Sequence, residues 1–235
     1  MAVSPSTNAT VVLVHGAWAD ASSWRSVVSH LLKSGVSVVA VQIPTTSVPA
    51  AVEATRRALM EIDGPVVLAG HSWGGTVVTE AGNDPKVKAL VYVAALAPDV
   101  GQSSAEQAAA YPVPQGPAEV SADRSGNYVM SVNGWIHAVA QDLPEEEARV
   151  LAATQPPLGP GAFADKVTKA AWSGRRTWYV VSSADRALSV ELQRDAAKKL
   201  KARTIELEAS HMSLLSQPGA IASVILEAVA ETAAA

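Results

Sequence analysis

Short runs of apolar, mostly β-branched residues alternate along the chain with longer segments whose apolar positions recur at helical spacing. Six runs predict strands, at residues 11–14, 36–43, 66–69, 89–95, 177–181 and 204–207. Five segments predict helices, at residues 22–33, 49–62, 74–82, 189–200 and 218–232. Nearly continuous apolar runs are typical of parallel strands that are buried on both faces. The alternation therefore predicts an α/β fold with one mainly parallel sheet of about six strands and helices on both faces.

One long segment, residues 99–172, departs from this alternation. It is rich in proline, contains helix-like pieces and offers no convincing strand. A connection of this length is rarely a bare loop. We therefore expect a helical cap over the C-terminal edge of the sheet, inserted into a core formed by residues 1–98 and 173–235. Trp135 and His137 are candidate substrate-pocket residues within this cap.

A serine flanked by glycines follows the third predicted strand. The sequence GHSWGG occupies residues 70–75, directly between the strand at 66–69 and the helix at 74–82. Strand, G-x-S-x-G turn and helix in this order form a nucleophile elbow, in which the glycines permit a sharp turn that exposes the serine hydroxyl. Ser72 is therefore the candidate nucleophile. His71 beside it is expected to pack away from the substrate.

A serine hydroxyl needs a neighbouring base, and the base needs an acid that orients it. His211 follows the last predicted strand, and Asp185 follows the strand before it. The C-terminal ends of parallel strands lie at one edge of a sheet, so these loops are expected to converge on Ser72. Asp99, which follows the strand at 89–95, is the alternative acid. Its Ala-Pro-Asp setting is more typical of a hinge into the cap.

The loop after the first predicted strand carries the sequence VHGAW at residues 14–18. Acyl transfer needs N–H donors that face the oxyanion of the tetrahedral intermediate. The backbone N–H groups of Ala17 and of Trp73, the residue after the serine, are the candidate donors. His15 is expected to orient this loop, and Trp18 is a candidate substrate-pocket residue.

These motifs together resemble those of the α/β-hydrolase superfamily. VHGA, GHSWGG, Asp185 and the sequence SHMSLLSQP at residues 210–218 carry the resemblance, which covers essentially the whole chain. It is closest to a small branch of plant methylesterases, hydroxynitrile lyases and related bacterial esterases. The resemblance implies the α/β-hydrolase fold, with Ser72, Asp185 and His211 as nucleophile, acid and base. This branch often dimerises, so a homodimer is an open alternative to a monomer.

The resemblance also indicates which reactions of the superfamily this chain is expected to catalyse. Hydroxynitrile lyases of the branch carry a lysine directly after the catalytic histidine, whereas this chain carries Met212 there, as the esterases do. Epoxide hydrolases and haloalkane dehalogenases of the superfamily have an aspartate in place of Ser72. Cofactor-free perhydrolases keep the serine triad, so a perhydrolase side activity stays compatible with the sequence.

Composition narrows the remaining function classes. The chain has 235 residues, no cysteine and a net charge of −4, which excludes thiol catalysis and disfavours nucleic acid as a partner. No apolar stretch approaches the ~18 residues of a membrane span, and the polar residues 1–10 do not resemble a signal peptide. We therefore expect a cytoplasmic protein. The scattered histidines lack carboxylates at ligand spacing, so no metal or cofactor is expected.

The sequence thus predicts a cofactor-independent serine hydrolase that cleaves small or medium-sized carboxylic esters through an acyl-enzyme. Apolar and aromatic residues in the cap indicate a mainly apolar substrate. Fold alone does not fix function, and three alternatives stay open on the same triad. They are a ligand-binding receptor or signalling protein with vestigial turnover, a lactonase and a C–C bond hydrolase.

Overall fold

A computed structural model describes residues 9–233 of the chain. Of the polar residues 1–10, which are not expected to form a signal peptide, residues 1–8 lie outside the described residues. The strands in the described part are β1 (Thr10–Val14), β2 (Ser37–Val41), β3 (Val66–His71), β4 (Val87–Val93), β5 (Val120–Ala122), β6 (Tyr128–Met130), β7 (Arg176–Ser182) and β8 (Arg203–Leu207).

The α-helices of the same part follow in chain order. They are α1 (Arg25–Lys33), α2 (Val48–Met60), α3 (Gly74–Ala81), α4 (Ser104–Ala108), α5 (Val132–Gly134), α6 (Glu145–Thr154), α7 (Gly161–Ala164), α8 (Val190–Lys199), α9 (Ser213–Ser216) and α10 (Pro218–Ala233). A π-helical turn covers Trp135–Val139. No helix among residues 9–233 has both the length and the apolar content that crossing a bilayer requires.

A six-stranded sheet forms the centre of the molecule. Its strand order is β2-β1-β3-β4-β7-β8, and every ladder within it is parallel. The six strands and the five long helices predicted from the apolar pattern are all present, which confirms the predicted fold class. Because β3 lies between β1 and β4, the turn that follows β3 emerges in the middle of the C-terminal edge.

The sheet buries an apolar layer on each face. Alternate residues of β1 point to opposite layers, with Val12 and Val14 on one side and Val11 and Leu13 on the other. Helices α2, α3 and α8 pack on the first face, and α1 and α10 pack on the second. Strands covered on both sides are therefore apolar at nearly every position, as the sequence pattern indicated.

The segment between β4 and β7, residues 99–172 and called the cap below, consists of short helices and one antiparallel pair, β5 with β6. The expectation that it holds no strand is therefore wrong. Each of these strands has three residues, too few for an alternating pattern to stand out. The cap is tied to the core where Thr45 Oγ1 donates to the Pro157 carbonyl at 2.8 Å.

Candidate active site

The turn after β3 holds Ser72 in a strained conformation. Its φ is +53°, a left-handed value that side chains with a Cβ rarely adopt. Hydrogen bonds fix the turn on both sides, since Ser72 N–H donates to the Val93 carbonyl at 3.1 Å and its carbonyl accepts from Gly75 at 2.9 Å and Leu96 at 3.1 Å. The turn has the backbone geometry of a nucleophile elbow.

Neighbouring strands bring Asp185 and His211 together. Strands β7 and β8 pair, and the loops beyond them stay joined because Ala184 N–H donates to the Ala209 carbonyl at 3.1 Å. His211 Nδ1 lies 2.6 Å from Asp185 Oδ2, and His211 Nε2 lies 2.8 Å from Ser72 Oγ. A carboxylate only accepts, so Nδ1 carries the proton and Nε2 is free to accept from the serine hydroxyl.

The Asp185 carboxylate is fully supplied with donors. Its Oδ1 accepts from the backbone N–H groups of Ala187 at 2.8 Å and Leu188 at 2.9 Å. Its Oδ2 also accepts from the fully buried Gln193 at 2.7 Å, and the same amide accepts from Ser182 N–H at 2.9 Å. Sequence analysis missed Gln193, because only the packing of α8 against β7 brings this position to the acid.

The alternative acid lies elsewhere. The side chain of Asp99 is 52% exposed and forms an ion pair with Lys199 at 3.2 Å. Asp99 therefore lies beyond the end of β4, at the start of the cap, and forms a surface contact there. Of the two candidates, Asp185 is the one that the fold brings to His211.

The loop after β1 lies directly against the elbow. A Cβ added to Gly16 would lie 2.8 Å from Cβ of Ser72, so only glycine permits this approach. His15 donates from Nδ1 to the Gly16 carbonyl at 2.9 Å and accepts at Nε2 from Ile43 N–H at 3.2 Å. Burial lowers the pKa of His15, which keeps the ring neutral in this arrangement.

The two predicted oxyanion donors border this junction. Among residues 9–233, neither the Ala17 nor the Trp73 backbone N–H donates a hydrogen bond, and Ala17 lines the cavity at Ser72. Helix α3 begins at Gly74, directly after Trp73. The partial positive charge at its N-terminus therefore lies beside the serine.

His71 has a role that the sequence did not predict. It is buried, as expected for a packed side chain, and it is one of the residues that border the cavity. Its Nε2 donates to the backbone carbonyl of His211 at 2.9 Å, and the two ring centroids lie 4.8 Å apart. Burial, and then the proximity of His211, holds the pKa of His71 well below its usual value. His71 is therefore a neutral donor that supports the His211 loop.

A cavity of about 400 Å³ opens onto Ser72 and His211. Its wall is mainly apolar and includes Trp18, Leu96, Ala108, Val120, Met130, Trp135, Val139, Phe163, Leu188 and Met212. The structure thus places both tryptophans predicted for the pocket, Trp18 and Trp135, in this wall. No group of three or more histidine, cysteine or acidic side chains within residues 9–233 is placed to hold a metal ion.

The third residue predicted for the pocket is corrected. His137 is exposed and is not part of the cavity wall. The reason is helical geometry, because Trp135 and His137 lie two positions apart on the π-helical turn and so point to different sides. Since Trp135 faces the cavity, His137 faces solvent.

Comparisons with known proteins show which family the chain belongs to. Residues 11–224 match the model of a family described as the alpha/beta hydrolase family. A probable hydrolase from a Phoma species is 25% identical over 244 residues, covering 94% of this chain and 98% of that protein. A carbendazim-hydrolyzing esterase from a Nocardioides species is 30% identical over 165 residues, covering 61% of this chain and 64% of that protein.

Solved structures share the same architecture. The crystal structure of polyneuridine aldehyde esterase superposes with a TM-score of 0.76 and 21% sequence identity. The superposition covers 93% of this chain and 98% of that one. At this identity the similarity concerns the fold alone.

Proposed function

Because the chain belongs to the alpha/beta hydrolase family, as its motifs predicted, we propose that it is a serine hydrolase that cleaves small or medium-sized carboxylic esters. The relatives support this class, since one is named as an esterase and another as a probable hydrolase. The proposed nucleophile is Ser72, with His211 as base and Asp185 as acid.

One observation carries the proposal. His211 lies at hydrogen-bond distance from Ser72 Oγ through Nε2, at 2.8 Å, and from Asp185 Oδ2 through Nδ1, at 2.6 Å. This is the geometry in which a serine can be deprotonated during attack while the imidazolium is stabilised. The apolar cavity above Ser72 offers a place for an ester with few polar groups.

Acylation is proposed as the first half of the reaction. Ser72 Oγ attacks the ester carbonyl carbon while His211 Nε2 takes the hydroxyl proton. The negative charge on the former carbonyl oxygen is stabilised by the N–H groups of Ala17 and Trp73. The intermediate then collapses, the C–O bond to the alcohol breaks, and His211 returns its proton to the leaving alcohol.

Hydrolysis of the acyl-enzyme completes the cycle. Water attacks the acyl carbon and gives a proton to His211, which later returns it to Ser72 Oγ as the acid leaves. Asp185 keeps His211 in the orientation that both halves require. The hydrogen bond from His71 to the His211 carbonyl holds the backbone of the same loop.

The cap is proposed to select the substrate. Residues from 99–172 supply Val120, Met130, Trp135 and Phe163 to the cavity wall. We accordingly propose the division of the chain into a core, residues 1–98 and 173–235, and a substrate-binding cap. Substitutions within the cap are expected to change chain-length preference more than the rate on the shortest ester.

The test is stopped-flow hydrolysis of p-nitrophenyl esters, from acetate to decanoate, by the wild type and by Ser72→Ala. We expect a burst of p-nitrophenol followed by steady turnover in the wild type, and neither in Ser72→Ala. Circular dichroism of both proteins controls for folding. Turnover that survives Ser72→Ala would contradict the assignment of the nucleophile.

The same experiment, extended to lactones and to substrates with a cleavable C–C bond, separates the alternatives. A wild type that binds an ester tightly but releases one equivalent of p-nitrophenol or none would contradict the enzyme and favour a receptor. Activity on lactones or on C–C bonds without activity on open-chain esters would place the triad in a different hydrolase class.

A further inference from the structure

Two tryptophans connect the proposed oxyanion donors to the cap. Trp18 directly follows Ala17, and its indole N–H donates to the backbone carbonyl of Tyr128 at 2.9 Å. Trp73 is itself the second proposed donor through its backbone, and its indole N–H donates to the carbonyl of Ala162. Each proposed donor is therefore linked to the cap by an indole side chain, either its own or that of the next residue.

The first acceptor is held firmly. The Tyr128 carbonyl also accepts from Leu158 N–H at 2.8 Å, and Tyr128 N–H donates to the Leu158 carbonyl at 2.7 Å. Leu158 is fully buried in the core layer that contains Val12 and Val14, and the next residue, Gly159, donates to the Thr45 carbonyl at 2.8 Å. The β6 strand thus presents a fixed carbonyl to Trp18.

The second acceptor lies on a cap helix that also contacts the first tryptophan. Ala162 and Phe163 belong to α7, and the Phe163 ring meets the Trp18 ring edge to face at a centroid distance of 5.8 Å. Asp165, just after α7, accepts from Val48 N–H at 3.0 Å and so fastens this helix to the start of α2. The two indoles therefore contact one connected part of the cap.

The backbone of Trp18 needs such support. Its φ is +56°, and a bulky side chain adopts this left-handed value only where its surroundings hold it. The hydrogen bond to Tyr128 and the edge contact with Phe163 are restraints of this kind. Without them, relaxation of φ at Trp18 rotates the chain directly after Ala17.

We propose that Trp18 and Trp73 are positioning residues through which the docked cap sets the orientation of the oxyanion-binding N–H groups of Ala17 and Trp73. The inference rests on the proposed function. It assigns to the cap a part in stabilising the transition state that is distinct from forming the substrate pocket.

The test uses Trp18→Phe and Trp73→Phe, which keep an aromatic ring and remove the indole N–H. We expect kcat on p-nitrophenyl butyrate to fall about tenfold or more, with KM within about threefold, because the lost alignment acts on the oxyanion. A trifluoromethyl ketone, which forms a tetrahedral adduct with serine, is expected to bind more weakly by a similar factor.

Trp172→Phe is the matched control. It removes an indole hydrogen bond to a backbone carbonyl, that of Pro98 at 3.2 Å, at a position outside the cavity wall. We expect its kcat and its affinity for the ketone to stay within about twofold of wild type. Thermal unfolding of all variants checks folding, and Trp18→Phe decides the question alone if the fully buried Trp73 does not tolerate substitution.

Each outcome has a distinct meaning. Wild-type kcat and ketone affinity in Trp18→Phe would overturn the inference while leaving the proposed esterase intact. An equal loss of kcat and of ketone affinity in Trp172→Phe would overturn it too, because any loosening of the cap would then explain the loss. A wild type that neither hydrolyses esters nor binds the ketone would remove the proposed function, and the inference with it.

Discussion

Gln193 donates from Nε2 to Oδ2 of Asp185 at 2.7 Å, the same oxygen that accepts the hydrogen bond from Nδ1 of His211. Its Oε1 accepts from Ser182 N–H at 2.9 Å, so the amide is fixed at both ends. Without this donor, the carboxylate would keep the backbone N–H groups of Ala187 and Leu188 on Oδ1 but would lose a contact that fixes Oδ2 beside the histidine. Gln193 therefore acts on the proposed base through the acid.

Gln193→Leu is expected to lower kcat about tenfold and the free energy of unfolding by about 1–3 kcal/mol, because it leaves buried polar groups without partners. Ester turnover and urea unfolding measure the two effects. Arg194→Ala is the control, because Arg194 lies on the exposed side of α8 and pairs with Glu206. Its free energy of unfolding is expected to fall by at most about 1 kcal/mol, and its activity is expected to stay at the wild-type level. Unchanged kcat in Gln193→Leu would show that the other donors suffice.

Asp185→Asn and Asp99→Asn separate the two acids proposed from sequence. Replacing the acid of a serine triad typically lowers kcat by several orders of magnitude, so Asp185→Asn is expected to lower kcat about 10³- to 10⁴-fold. Asp99→Asn removes a half-exposed ion pair with Lys199 and is expected to leave kcat within about twofold. Steady-state kinetics on p-nitrophenyl acetate decide between them, and a large loss in Asp99→Asn would reverse the assignment.

The sequence was informative where one local pattern determines the outcome. The apolar runs predicted the six parallel strands because strands covered on both faces need apolar residues at nearly every position. The glycines around Ser72 predicted a sharp turn. In the structure Ser72 has a left-handed backbone conformation, and the neighbouring glycines leave no room for a side chain at their positions. Once the strands were known, the loops with Asp185 and His211 had to meet at one edge.

The sequence was less informative where tertiary packing decides. Gln193 reaches Asp185 only because α8 packs against β7, and no spacing rule foretells that contact. The wrong placement of His137 came from treating it together with Trp135, although helical geometry sends the two side chains apart. The β5–β6 pair did leave a signal, the turn-forming residues between its strands, which the short strand lengths obscured.

Gly16→Ala tests the close approach of the loop after β1 to the elbow. A Cβ at this position would lie 2.8 Å from Ser72 Cβ, so the two segments must separate and the proposed oxyanion donor at Ala17 moves with them. We expect kcat to fall about 10²-fold or more, in line with the loss of an oxyanion donor. Gly174→Ala is the control, since no atom lies within 4 Å of its added Cβ. Equal activity of the two variants would contradict the prediction.

His71 is expected to make stability depend on pH. Burial, and then the proximity of His211, holds its pKa well below the ordinary 6.5, so below pH 6.5 the unfolded chain binds a proton that the folded chain does not. Its contribution to stability is therefore complete above pH 6.5 and is lost as the pH falls, by at most about 1.4 kcal/mol per pH unit. Urea unfolding between pH 5 and 7.5 measures this slope, and His71→Gln is expected to reduce it. An unchanged slope in the variant would exclude this explanation.

The cap separates the proposed nucleophile from its base along the chain, because Ser72 precedes residues 99–172 whereas Asp185 and His211 follow them. A cut at the exposed turn Arg124–Gly126 therefore divides the chain into two fragments, the first with Ser72 and the second with Asp185 and His211. Neither fragment alone has both a nucleophile and a base. Ester turnover by the mixed fragments would report their reassociation, which makes this fold a scaffold for a split-enzyme sensor.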